Sequence, residues 1–233
     1  NIKFFNTSYE SMINPTEEIS GCTDELACNY NSDATSNDDS CDYSCHRNGY
    51  SLDFNGQDGW VEINDSESLT MVQDFSVIVW VEPKFTENNL HYAVISKGWN
   101  GYGGACEDPT ITQYHLSLSN GNNGYNLKPH YLTQNCHWSN INGSATINEN
   151  VSYMISSVFS NDSYTSYVNN QIDNTVTMPY GGPTIDLPGS LRFSSYAGNE
   201  PAGTQKYHYE GRILKSVIIN EVLSSEEIYE IYN

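Results

Sequence analysis

Asn29, Asn31 and Asp33 alternate along one short stretch, and Thr35, Asn37, Asp38 and Asp39 follow closely. Oxygen-bearing side chains at the first, third and fifth positions of a loop can converge on one calcium ion. Asp24, Asp38 or Asp39 could complete such a set, so calcium is the expected cofactor, with Asp24, Asn29, Asn31, Asp33, Asp38 and Asp39 as its ligands. The spacing is not that of an EF-hand. Ala34 stands where the tight turn needs glycine, and Ser40 stands where a bidentate glutamate closes the site. The alternative is that these side chains cap turns by bonding their own backbone. A second set of candidates is aromatic. Trp99 and Tyr102 lie in the glycine-rich KGWNGYGGACEDP, Tyr180 in MPYGGP and Tyr196 in SSYAGNEP. Exposed rings stack on the C–H faces of sugars while neighbouring Asn and Asp side chains bond the hydroxyls. The same rings could instead pack over the ends of the domain.

The cysteines carry the third chemistry. Cys22, Cys28, Cys41 and Cys45 fall in GCTDELACNYNSDATSNDDSCDYSC, which has almost no aliphatic side chains. Such a segment cannot build a core and must be held by disulfides, a metal, or both. Four cysteines allow three pairings, and the spacing does not choose among them. A four-thiolate zinc knuckle is the rival, and the intervals fit zinc poorly. Cys106 and Cys136 flank a hairpin expected over 111–118 and 124–132. If it turns about Gly121, paired residues sum to about 242 and the two thiols meet; the alternative is two buried free thiols. Sequons occur at Asn6, Asn64, Asn142, Asn150 and Asn161, about as many as the abundance of Asn, Ser and Thr gives by chance.

The whole chain bounds these readings. Its 233 residues suit one sandwich with a small appendage, and its formal net charge is −20. Nine Lys and Arg make nucleic acid an unsuitable partner, because its phosphates would be repelled. Acidic surfaces instead attract cations. No apolar run is long enough to span a membrane. Cysteines without a C-x-x-C pair point to an oxidising compartment. The chain starts at Asn1, which reads as a processed or trimmed product.

Three segments are expected: a leader or added strand at 1–20, a Cys-rich acidic module at 21–48, and a β domain at 49–233. The leader is polar and dotted with Ile2, Phe4, Phe5, Tyr9 and Ile13. The β domain is expected to carry strands at 50–54, 59–63, 75–82, 91–97, 111–118, 124–132, 151–159, 163–168, 171–177, 190–195 and 205–219. Phe75, Val77, Val79 and Val81 share one face of a strand and Ile78 and Trp80 the other. A strand apolar on both faces lies between two layers. Asn169-Asn170 reads as a type I′ turn. Ser224 and Glu227 form a capping box for a short helix that packs Ile228 and Ile231.

The stretch SLDFNGQDGWVEINDSESLTMVQDFSVIVWVEP resembles the opening of laminin G-like, concanavalin A-like jelly rolls. Those run "L-x-F-D-G-x-x-D-Y-V-x-I-x-x-S-x-S-L" and then "D-F-T-I-S-x-W-V-x-P". Tyr167-Val168-Asn169-Asn170 is similar to the "Y-V-N-G" hairpin of that pentraxin-like superfamily, and the end of the chain resembles its closing segment, with Leu214-Lys215 in place of an Asp. The module at 21–45 resembles a "G-C-T-D-x-x-A-C-N-Y-N" repeat of secreted marine microbial proteins. The resemblance implies an antiparallel two-sheet β-sandwich, all-β but for a short C-terminal helix. It also implies an extracellular, non-catalytic recognition module for glycan or a cell-surface protein. Rim calcium is common in such domains, and Asp58, Glu107, Asp108, Asp162 and Asp186 are loop acids here. Glycosidases of the fold carry "E-x-D-x-x-E"; Glu62 to Glu67 departs from it with Asn64 at the centre, so no catalytic residue is expected. The alternatives are a subunit of an extracellular filament, appendage or virion fibre that meets copies of itself, and an accessory carbohydrate-binding module of a secreted enzyme.

Overall fold

The structure, a computed structural model, describes residues 18–24, 27, 29–42, 50–85, 91–98, 112–121, 124–133, 138–140, 142–160, 163–177, 184, 186–187, 189–195 and 207–233. Two compact units are present, Asn1–Tyr50 and Ser51–Asn233.

In the first unit β1 (Ser20–Gly21) pairs in parallel with β2 (Ser36–Asn37). Cys22 and Cys41 form a disulfide, which selects one pairing from those the spacing left open. Cys28 and Cys45 lie outside the described residues. Of the apolar side chains described here only Cys22 and Ala27 are buried, so the crosslink substitutes for a core. Residues 1–17 of the expected leader lie outside the described residues.

The second unit is the sandwich. Its strands are β3 (Leu52–Asn55), β4 (Val61–Ile63), β5 (Phe75–Pro83), β6 (His91–Lys97), β7 (Tyr114–Gly121), β8 (Gly124–Leu132), β9 (Trp138–Asn140), β10 (Tyr153–Ser160), β11 (Ser163–Val168), β12 (Gln171–Thr177), β13 (Leu191–Phe193) and β14 (Glu210–Ile219). One sheet runs β12-β11-β10-β5-β14-β3 and the other β4-β13-β6-β7-β8-β9. The expected strands are present, those at 91–97, 124–132, 163–168 and 171–177 with the expected bounds and the others with shifted ends; β9 was not expected. Phe75, Val77, Val79 and Val81 of β5 meet Tyr114, Leu116, Leu118, Leu127 and Tyr131 in the core between the sheets. The other face of β5 carries Ile78, which packs with Met154, Val158, Tyr167 and Ile228.

Ile228 belongs to α1 (Ser225–Tyr232), which covers the outer face of the first sheet. Its start is the expected capping box: Glu227 N–H donates to Ser224 Oγ, and Ser224 N–H to the Glu227 carboxylate. Ile231 packs beside it. The β11–β12 turn departs from type I′. Asn169 takes a left-handed φ of 57°, whereas Asn170 is not among the left-handed residues.

The β7–β8 register also departs from expectation. Tyr114 pairs with Tyr131 and Gly121 with Gly124, so paired residues sum to 245 rather than 242. Partners directly opposite share a face. An even sum would set Leu118 opposite Gly124 and Leu116 opposite Asn126. The odd sum sets Leu118 opposite Leu127 and Leu116 opposite Pro129. Burial of one face therefore selects it, and Gly121 pairs with Gly124 instead of sitting at the centre of the turn. This removes the register argument for joining Cys106 to Cys136, and both cysteines lie outside the described residues.

Candidate functional site

The register that buries Leu116, Leu118 and Leu127 in the core turns their neighbours to the opposite face, where His115, Ser117 and Ser119 are also buried and Asn126 and Lys128 are half-buried. His91 of β6 pairs with Ser119 of β7, which pairs with Asn126 of β8. Ala93, Ser117 and Lys128 make the next row, and Ser96, His115 and His130 the third. Pairing continues from Ser96 through Arg192 to Glu62, so polar residues cross the outer face of the second sheet.

A groove of about 550 Å³ opens on this face. His91, Ser119, Asn126 and Lys128 line it, together with Asn142 and Ser144 of the adjoining segment. That segment runs along β8: Gly143 N–H donates to Leu127 O at 2.8 Å and Ile147 N–H to Tyr125 O at 2.7 Å. Asp173 of β12 fixes it from the other sheet. Its Oδ1 accepts from Ser144 N–H at 2.7 Å, Ala145 N–H at 2.7 Å and Ser144 Oγ at 3.1 Å. A Cβ at Gly143 would run into the Asp173 carboxylate and the Leu127 carbonyl oxygen, so only glycine fits this wall.

Three imidazoles sit around one ammonium. His91 Nδ1 and Ser119 Oγ are 2.8 Å apart, and the His91 ring meets Tyr207 edge to face. His115 and His130 stack with centroids 4.0 Å apart, and His115 Nδ1 lies 2.8 Å from Thr112 Oγ1. Burial, followed by the Lys128 charge, holds His91 below its ordinary range. Burial drives His115 well below it, with smaller repulsion from His130 and Lys128. Burial and then Lys128 take His130 down to about 3. These rings are neutral at pH 7, and Lys128 is the fixed positive charge among them.

At the far edge of the same sheet Trp60 is 47% exposed. Arg192 Cζ lies 5.7 Å from its ring centroid, and His208 stacks on it at 6.1 Å. Arg192 Nε donates to Glu62 Oε2 at 2.8 Å. Glu62 is thus bound to a cation, and Glu67 lies in a one-turn 3₁₀ helix, Glu67–Leu69.

The residues expected from sequence are placed as follows. Trp99, Tyr102, Tyr180, Tyr196, Glu107, Asp108 and Asp162 lie outside the described residues, as do the sequons at Asn6 and Asn161. Asn64, Asn142 and Asn150 are exposed. In the small module Asn31 Oδ1 accepts from Asp33 N–H, and Asp38 Oδ1 accepts from Ser40 N–H. Asn29 bridges Asp42 N–H and Ser40 O, each at 2.7 Å. Asp24 O accepts from Ala27 N–H, and Asp39 takes φ 59°. No group of three or more His, Cys, Asp or Glu among the described residues is arranged to hold a metal ion. Asp58 accepts from Asn55 Nδ2 and Asp186 lies 3.5 Å from Thr70 Oγ1. Apart from Asn142, expected only as a sequon, the groove residues and the Trp60–Arg192 pair were not anticipated. The signal was present in β8, where Asn126, Lys128 and His130 alternate with Leu127, Pro129 and Tyr131.

A family model described as the concanavalin A-like lectin/glucanases superfamily matches residues 55–229. A search of the curated proteins finds no match. Among solved structures, a heptameric SAP-like pentraxin from Limulus polyphemus is similar over 78% of this chain and 81% of its own, with TM-score 0.59 and 14% identity. The CBM40 of a Ruminococcus gnavus sialidase, bound to α2,3-sialyllactose, is similar over 79% and 98%, with TM-score 0.58 and 13% identity. Domain 4 of an extracellular arabinanase from Geobacillus stearothermophilus, in complex with arabinotriose, is similar over 78% and 76%, with TM-score 0.53 and 16% identity. At these identities the likeness is one of fold.

Proposed function

Since the chain belongs to the concanavalin A-like lectin/glucanase superfamily through residues 55–229, we propose that it is a non-catalytic, lectin-like module that binds glycan on the outer face of its second sheet. The observation that carries this is the inequality of the two outer faces. α1 lays Ile228 over the first sheet, whereas the second has a groove of about 550 Å³ at its His91–Ser119–Asn126 row and Lys128; its remaining polar residues Ser96, His115 and Ser117 are buried. That volume is within the roughly 300–1,000 Å³ of small-ligand sites. Ser119, Asn126 and Ser144 supply the donors and acceptors that sugar hydroxyls need. The two carbohydrate-binding neighbours hold saccharides, which supports the reading. Its non-catalytic part is supported by Glu62, whose carboxylate is engaged by Arg192.

An extracellular setting is supported by the Cys22–Cys41 disulfide. Calcium belongs to the proposal through the acids of the small module. Asp38 is held below its ordinary carboxyl range by hydrogen bonds from Ser40 and stays ionised. The test is a glycan array probed with and without a chelator, followed by titration of the Ser119→Ala/Asn126→Ala double variant. Binding is expected, and the double variant should lose about tenfold, the worth of one or two hydrogen bonds. An array blank in both conditions overturns the recognition reading; binding indifferent to chelation removes calcium alone. Turnover of any bound glycan that Glu62→Gln abolishes would overturn the non-catalytic part.

A further inference from the structure

The disposition of charge in the groove narrows the ligand. Most described cations of the sandwich are already engaged. Lys97 bridges Asp65, Arg192 bridges Glu62, Arg212 bridges Glu82, and Lys215 lies over the Trp80 ring. Lys128 differs. No carboxylate among the described residues pairs with it, although the protein carries 29 acidic residues. It is half-buried in the groove wall, and its charge reaches His91, His115 and His130. An ammonium set without a counter-ion among three neutral imidazoles is a cost that a bound anion would remove.

Resting on the glycan-binding reading above, we infer that the groove takes an anionic saccharide, whose carboxylate or sulfate meets Lys128 and the His91 ring while Ser119, Asn126 and Ser144 hold its hydroxyls. His91 is the element that responds to pH. Ser119 faces it from β7, Lys128 acts on it from β8, and Tyr207 lies against its ring. A bound anion offsets the Lys128 repulsion and so favours the imidazolium. Protonation adds a second cation, and affinity for an anionic ligand rises as pH falls. A neutral sugar gains nothing from it.

The experiment is calorimetric titration of the full chain with size-matched neutral, uronate-bearing and sulfated oligosaccharides, at about pH 7.5 and about pH 6.0. The sulfated ligand keeps its charge across that interval, so its response isolates the protein. Lys128→Gln is compared with wild type, and thermal melting checks that it folds. The expected result is preference for one or both charged ligands, lost by about tenfold in Lys128→Gln, with tighter binding of the sulfated ligand at the lower pH. The uronate and sulfate arms show which anion the groove prefers. Equal or tighter binding of the neutral ligand, or charged-ligand affinity untouched by Lys128→Gln, overturns this inference and leaves the glycan-binding reading standing. Failure of all three ligands on a folded protein removes both.

Discussion

At the scale of single residues, the side chain that fixes the groove-bearing sheet to its loops is Lys97. It ends β6 fully buried, yet each of its three protons has an acceptor. These are Asp65 Oδ1 at 2.8 Å, Gly189 O at 2.8 Å and Leu187 O at 3.1 Å. A buried ammonium survives only where every donor is used. Nothing in HYAVISK marks this lysine, because a charged residue at a strand end ordinarily reaches solvent. The loops that supply its acceptors arrive from distant sequence, so the site was not legible in advance. Lys97→Met should destabilise by about 2–4 kcal/mol, since it strands two buried carbonyls. Asp65→Asn should cost about 1 kcal/mol, because the Asp65 carboxylate is more than a third exposed and rehydrates. Urea denaturation midpoints read both. Equal effects would mean that the ion pair, and not the carbonyl contacts, dominates.

At the scale of elements, one register decides which residues meet ligand. With paired residues summing to 245, Leu127 faces the core and Lys128 faces outward. Leu127→Ala should therefore cost about 2–5 kcal/mol, while Lys128→Ala should stay within about 0.5 kcal/mol of wild type. Denaturation of the two variants tests the pairing directly, and a reversed order would restore the sum of 242. Much of the sandwich was legible because alternation has a fixed period: β5, with Val77 and Val79 on one face and Ile78 on the other, could belong only between two layers. The capping box at Ser224 was legible because its chemistry is local. The groove was less so. The glycine at 121 drew the expected sum to 242, three below the observed 245, although the apolar alternation of Leu127, Pro129 and Tyr131 already demanded an odd sum. The wall formed by Asn142–Ser144 depends on Asp173 reaching across from β12, a long-range contact that no local pattern announces.

At the scale of the whole molecule, acid should act through the same polar face. His115 and His130 are buried neutral, the latter near 3 against an ordinary value of 6.5. Below about pH 6.5 the unfolded chain takes up protons that the folded histidines refuse, so the unfolded state binds more of them and stability falls with pH. Depressed carboxyls extend the loss further into acid. Arg212 holds Glu82 below its ordinary range and the Ser224 cap does the same for Glu227; their stabilisation is present above about pH 4.5 and fades as pH drops through their folded values. Two stages are expected in a plot of urea midpoint against pH, a histidine stage below about 6.5 and a carboxylate stage below about 4.5. His130→Gln should weaken the first, leaving the share of His115, and should not alter the second. Midpoints that stay level from about pH 7 to about pH 5 would mean that these imidazoles are hydrated and already free to ionise, and the face that carries them would not be the dry, positively biased surface on which an anionic ligand depends.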